Sequence, residues 1–354
     1  GILDGVTIGS NLTQSGTLYL KHGLTLGDGV TVNKGNSNWY FDGASNSEAS
    51  STVHHLATAG TSTLNSAGGG IYIYATNGQT LQIDSGVTAQ GYGALSQSWS
   101  GGTIINAGTL IANTAGQTFT VSSSTFTNNG TVNATAGTLT LQPTTWTSTG
   151  TIAQTSGIIN LGFNTTTANL GTFNRTGGTL NLTGILDNSS NTLNIGSAGL
   201  FGTGGLSSLS GTIKNGTLTN TDASPTLTSS SGILDGVTIG SNLTESGALW
   251  IKHGLTLGNG VTVNKGNSTW YFDGQSTSEA SGTVHHLATA GTSTLNNAGG
   301  GIYIFASNGQ TLQIDSGVTV QGYGSLSQGS GSNTIINTGT VIDNTAGQTF
   351  TVNP

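Results

Sequence analysis

Asp42, Glu48, His54 and His55 are the densest gathering of side chains able to bind a metal or move protons. Asp273, Glu279, His285 and His286 repeat them 231 residues later. Carboxylates and imidazoles at short spacing are the donors of metal sites and of general acid–base catalysis. Neighbouring residues on a strand point to opposite faces, however, so His54 and His55 cannot serve one site. The second set accompanies a duplication and adds no independent support. Aromatic residues precede each set, and aromatic rings can stack on sugars. Trp39, Tyr40, Asp42 and His54, with Trp270, Tyr271, Asp273 and His285, are therefore the candidate contact set for a glycan or partner. Polysaccharide cleavage needs carboxylates converging within several ångströms. Between Ala89 and Leu186 there is no acidic residue, and Arg175 is the one basic residue. The expectation is a protein that is not an enzyme, with no catalytic, cofactor-binding or metal-binding residues.

Composition narrows the classes further. Six basic and 13 acidic residues make 5% of 354, against about 25% in an ordinary globular protein. Six basic side chains cannot make the positive footprint that phosphate backbones require, so no nucleic acid is expected as partner. Apolar runs are only a few residues long, so no membrane insertion is expected. The absence of cysteine removes disulfides, thiolate metal sites and thiol nucleophiles. Gly68-Gly69-Gly70 is not followed by the spaced aspartates of calcium-binding nonapeptide repeats.

The elements that must carry these residues are strands. Apolar residues alternate with Thr, Asn or Gln in Leu139-Thr140-Leu141, Leu180-Asn181-Leu182, Ile71-Tyr72-Ile73-Tyr74 and Leu81-Gln82-Ile83. Period two bounded by Gly, Asn and Ser reads as half-buried strand. Two repeats organise them. Gly1–Ser10 returns unchanged as Gly232–Ser241, and about 99 of 121 positions match without insertion to Val121 and Val352. This divides the chain into a first long repeat, 1–231, with an irregular excursion near 39–67, and the first half of a second, 232–354. Within it, Asn106-Ala107-Gly108-Thr109, Asn128-Asn129-Gly130-Thr131, Ser148-Thr149-Gly150-Thr151 and Asn169-Leu170-Gly171-Thr172 recur at spacings of 22, 20 and 21. A fixed period near 21 is the signature of a solenoid. At ~4.8 Å per coil, about 17 coils would make a rod roughly 80 Å long. Stacking then accounts for the composition. A charge repeated in every coil would meet its own copy at a cost of about 0.9 kcal/mol even in water. Thr, Ser and Asn can instead hydrogen-bond along the stack, and Gly is expected to supply positive φ at the corners.

This rhythm, with Gly178–Gly184 (GTLNLTG), Leu81–Thr88 (LQIDSGVT), Leu3–Thr7 (LDGVT) and Trp39–Gly43 (WYFDG), resembles bacterial extracellular β-strand-repeat surface proteins. These are the relatives of filamentous haemagglutinin and of autotransporter passenger domains. The resemblance implies an all-β, right-handed parallel β-helix, extracellular or on the cell surface, acting in adhesion or in a surface fibre. Unpaired strand edges at open end coils would template another coil or chain, and an uncharged polar exterior permits lateral contact, so self-association, head-to-tail or lateral, is expected. A carbohydrate-binding adhesin module is the second expectation, and a polysaccharide-degrading β-helix enzyme the third.

Overall fold

The computed structural model describes residues 1–41, 49, 51–74, 78–99, 101–272, 279–305, 309–329 and 332–353. The chain is all-β, about 60% strand and almost without helix. Strands pair in parallel with equivalents one coil away, and together the coils number about 15, at roughly 22 residues each. The 17 coils expected from a period of 21 are thus too many, because some coils are wider than the motif spacing. The contacts divide the chain into two compact units, Gly1–Leu180 and Asn181–Pro354. That division falls inside the first long repeat. The join between long repeats, at 231 and 232, lies within the second unit.

In the first unit the most regular coils follow Thr103. Thr103–Asn106 sits on Thr125–Asn128, which sits on Thr145–Ser148. Alternation turns Ile104, Phe126 and Trp146 inward, with at most 2% of each exposed. The Phe126 and Trp146 rings stack at 5.5 Å between centroids, and Trp146 stacks on Phe163 at 4.3 Å. A neighbouring strand row buries Leu110, Val132 and Ile152, and another buries Leu139, Ile159, Leu141 and Leu161. Each coil therefore buries a thin layer of core that its neighbours complete.

The Asn-x-Gly-Thr motif proves to be a corner. Asn106 and Asn128 are fully buried. Asn106 Nδ2 donates to Asn128 Oδ1 at 2.8 Å, and Asn128 Nδ2 donates to Ser148 Oγ at 3.2 Å. Asn106 Nδ2 also reaches the Thr131 carbonyl at 3.1 Å. The fourth copy meets the expected positive φ, with Gly171 at +91°, but the first three glycines have another reason. Gly108, Gly130 and Gly150 are absent from the left-handed residues. A Cβ on Gly130 would lie 2.0 Å from the Gly108 carbonyl oxygen, and one on Gly150 would lie 2.1 Å from that of Gly130. Coil-to-coil contact at the corner leaves no room for a side chain.

Wider coils precede this region. Thr31–Lys34 pairs with Thr63–Ser66, Trp39–Phe41 with Ile71–Ile73, and Val53–Leu56 with Thr80–Ile83. The stretch read as an excursion thus supplies ladder strands at Trp39–Phe41, Val53–Thr58 and Ser62–Ile73. Asp42, Glu48 and Asp273 lie outside the described residues.

The second unit builds its coils in the same way. Gly232–Asp235 pairs with Leu249–Lys252, and Thr262–Lys265 pairs with Thr294–Asn297. Val263, Leu295 and Val320 make one inward row. Thr226–Thr228 pairs with Thr244–Ser246, so the ladder passes Pro225 without interruption.

Candidate functional site

The paired histidines point to opposite faces, as strand geometry requires. His54 and His285 are fully buried, while His55 and His286 are exposed. His55 Nδ1 lies 2.9 Å from Asp84 Oδ1, which also accepts from Gln82 Nε2 at 2.8 Å. His286 makes the same 2.9 Å contact with Asp315. His22 Nδ1 lies 2.6 Å from Asp4.

In the second unit the imidazoles and acids join into a row running from surface to core. His253 Nδ1 pairs with Asp235, and its Nε2 lies 3.7 Å from Glu279 Oε1. Glu279 Oε2 lies 2.9 Å from His285 Nε2. The same nitrogen lies 2.8 Å from Gln310 Oε1. Both neighbours of His285 Nε2 are acceptors, which places a proton on that nitrogen. The row is a chain of close polar contacts that ends in the core, where His285 Nδ1 has no hydrogen-bond partner. Among the described residues, no group of three or more His, Asp or Glu side chains is arranged to hold a metal.

Burial alters the candidate contact set. Trp39, Trp270, His54 and His285 are fully buried and cannot touch a glycan or partner on the outer surface. Trp39 Nε1 donates to Gln14 Oε1 at 2.8 Å, and Trp270 Nε1 donates to Glu245 Oε2 at 2.8 Å. These rings are inward because they continue the period-two side of Phe41 and Phe272. Tyr40 and Tyr271 remain half-buried, but their faces are taken. Tyr40 stacks between Tyr19 at 5.4 Å and Tyr72 at 5.2 Å, and Tyr271 between Trp250 at 4.2 Å and Tyr303 at 5.9 Å. Tyr74 and Phe305 pack edge-on against these ladders. A stacked ladder presents ring edges outward, so it offers no flat platform for a sugar.

Charged residues also lie inside the coils. Lys34 and Lys265 are buried, although the alternation starting from Val32 and Val263 places them inward. Lys34 Nζ donates to the Gly68 carbonyl at 2.6 Å, and Lys265 Nζ donates to Asn297 Oδ1 at 2.9 Å and to the Gly299 carbonyl at 2.8 Å. Desolvation lowers both ammonium groups to about 8. Glu245 is 1% exposed, and burial raises its carboxyl to about 7 against the opposing pull of its Trp270 and Ser268 donors. Gln14 holds the equivalent place in the first copy, where its Oε1 accepts from Trp39 and Ser37.

Outside, each unit carries a row that is polar and uncharged, while Asp187, Lys214, Asp235 and Lys252 alternate in sign along another row. Thr31, Thr63, Thr88, Thr109, Thr131, Thr151 and Thr172 lie one above another through successive coils. Thr262, Thr294, Thr319 and Thr340 do the same in the second unit. Two residues further along these strands, Asn65 Nδ2 donates to Asn33 Oδ1 at 2.8 Å and Gln90 Nε2 to Asn65 Oδ1 at 2.7 Å. Asn264, Asn296 and Gln321 repeat the chain with both bonds at 2.7 Å.

Fold and side-chain arrangement together define a β-solenoid repeat protein with self-stacking polar ladders. Comparison of the chain with protein-family models, with curated proteins and with solved structures finds no match. No helix among the described residues is long and apolar enough to cross a membrane.

Proposed function

We propose that this chain is a structural and adhesive repeat segment of an extracellular surface fibre or sheath, with no catalytic role. The observation that carries this reading is the seven-threonine row from Thr31 to Thr172, in register at every coil. A side chain that stacks on its own copy allows coils to be added without meeting a like charge. Such an array serves as a spacer or fibre more naturally than as a scaffold for one reacting centre. The acid-free stretch from Ala89 to Leu186 and the pairing of His22, His55, His253 and His286 with aspartates support a mechanical role. The proposed partner is another copy of the chain, engaged head-to-tail or laterally. Negative-stain electron microscopy of purified protein at increasing concentration tests this. Ordered filaments or side-by-side arrays are expected, and dispersed single particles at every concentration would overturn the self-association reading.

A further inference from the structure

We propose that the amide row Asn33–Asn65–Gln90, with its counterpart Asn264–Asn296–Gln321, is a binding groove for a neutral glycan chain. In the first unit this row lines a groove of about 400 Å³, whose lining also includes Tyr92 and Asn113. The three amides are half-buried or exposed, and their mutual bonds leave hydrogen-bonding capacity. Asn65 uses one N–H toward Asn33 and accepts one bond from Gln90. An amide has two donor hydrogens and two acceptor lone pairs, so a second N–H and a second lone pair remain. The ladder bonds fix each amide's orientation, so ordering these side chains costs a ligand little.

The groove wall is also set by the fold. Tyr92 stands between Gly91 and Gly93, at φ +113° and +123°, and opposes Ala67 across the ladder. A Cβ on Gly68 would lie 3.2 Å from Tyr92 Cε2, so the ring rests over Gly68 and is held at the rim. Tyr323 repeats this, with a Cβ on Gly299 lying 3.0 Å from its Cε2.

The chemistry selects the ligand class. The one ionisable cation in the lining, Lys34, is 1% exposed and turns its ammonium inward to the Gly68 carbonyl. The groove therefore presents no outward charge for a phosphate, a sulfate or a uronate. Backbone groups beneath it are engaged in the parallel ladders, so a peptide finds no free strand edge to extend. Vicinal sugar hydroxyls both donate and accept, which matches an amide with one spare hydrogen and one spare lone pair. Successive amides repeat at the ~4.8 Å spacing of paired strands, about the length one sugar occupies in an extended chain. The inference does not rest on self-association, since a single chain carries both rows.

The test uses the full chain and isothermal titration calorimetry with soluble hexasaccharides of glucose, N-acetylglucosamine and mannose, and with one uronate oligomer and one peptide as comparisons. At least one neutral hexasaccharide should bind, with affinity unchanged as salt rises from about 0.1 to about 1 M. The combined Asn65→Ala and Asn296→Ala variant should keep the parent's melting temperature and bind about ten-fold more weakly. If that variant melts early, Gln90→Ala with Gln321→Ala, at the far end of each row, takes its place under the same expectation. Absence of binding to all three neutral oligomers overturns the proposal. So do full affinity in a folded variant, and binding confined to the uronate oligomer or the peptide. Filament formation by microscopy is read separately, so the two proposals can fail independently.

Discussion

At the scale of single residues, Glu245 and Gln14 make a comparison built into the chain. Both accept from the indole of the buried tryptophan one coil away, at 2.8 Å, but only Glu245 ionises. Its Oε1 is buried without a hydrogen-bond partner, and its carboxyl is raised from 4.5 to about 7 chiefly by desolvation. A raised acid binds its proton more tightly folded than unfolded. Its contribution is therefore favourable below the unfolded value of 4.5 and is lost as pH climbs through about 7. The span from 4.5 to about 7 amounts to on the order of 3 kcal/mol. Lys265 acts in the opposite sense: lowered to about 8, it costs stability below 8 and relieves that cost as pH rises toward 10.5. Glu245→Gln, which copies the first repeat, should raise the melting temperature at pH 8 and leave it nearly unchanged at pH 4. Thermal melts followed by circular dichroism at both pH values check this, and equal shifts at both would disprove the buried-carboxyl account. Period two from Leu243 already placed Glu245 inward.

At the scale of the element, the strands and their stacking partners could be read from alternation and spacing, because both follow from parallel self-pairing. Phe126 and Trp146, at matching positions of neighbouring coils, are such a case, with rings stacked at 5.5 Å. The corner was less readable. Asn-x-Gly-Thr announces a turn, but whether its glycine serves conformation or clearance depends on how near the next coil passes. Gly130 needs clearance, since its missing Cβ would meet the Gly108 oxygen at 2.0 Å. Gly9 has no positive φ, and a Cβ added there would meet no atom within 4 Å. Gly130→Ala should therefore force adjacent coils apart and destabilise by about 1–3 kcal/mol, the range of overpacking. Gly9→Ala should stay within about 0.5 kcal/mol of the parent, as a surface change does. Urea titrations of both variants decide it; similar losses would return the corner glycines to a purely conformational role. Coil width was hidden for a related reason. Thr31 and Thr63 stack across 32 residues while Thr131 and Thr151 stack across 20, and loop length between strands leaves the ladder register unaffected.

At the scale of the whole molecule, charge is scarcer outside than the sequence total suggests. The formal net charge is −7 over 354 residues, and of six basic side chains Lys34, Arg175 and Lys265 are buried. Arg175 is held inside by Gln154 of the neighbouring coil, whose Oε1 accepts from its Nε at 2.6 Å. Composition alone makes this surface poor in charge; only the fold reveals that half of its cations are withdrawn. Contacts between copies of such a surface would rest on hydroxyl, amide and methyl groups, with little ionic attraction or repulsion to screen. Screening at about 1 M salt shortens the reach of charge to about 3 Å and weakens ionic contacts first. Assemblies of this chain, followed by light scattering, should therefore keep their size as sodium chloride rises from about 0.1 to about 1 M. Dissolution over that range would mean that the outward Asp4, His22, His55 and Asp84 side chains, with their second-repeat copies, carry the association. The threonine and amide ladders would then be spectators to it.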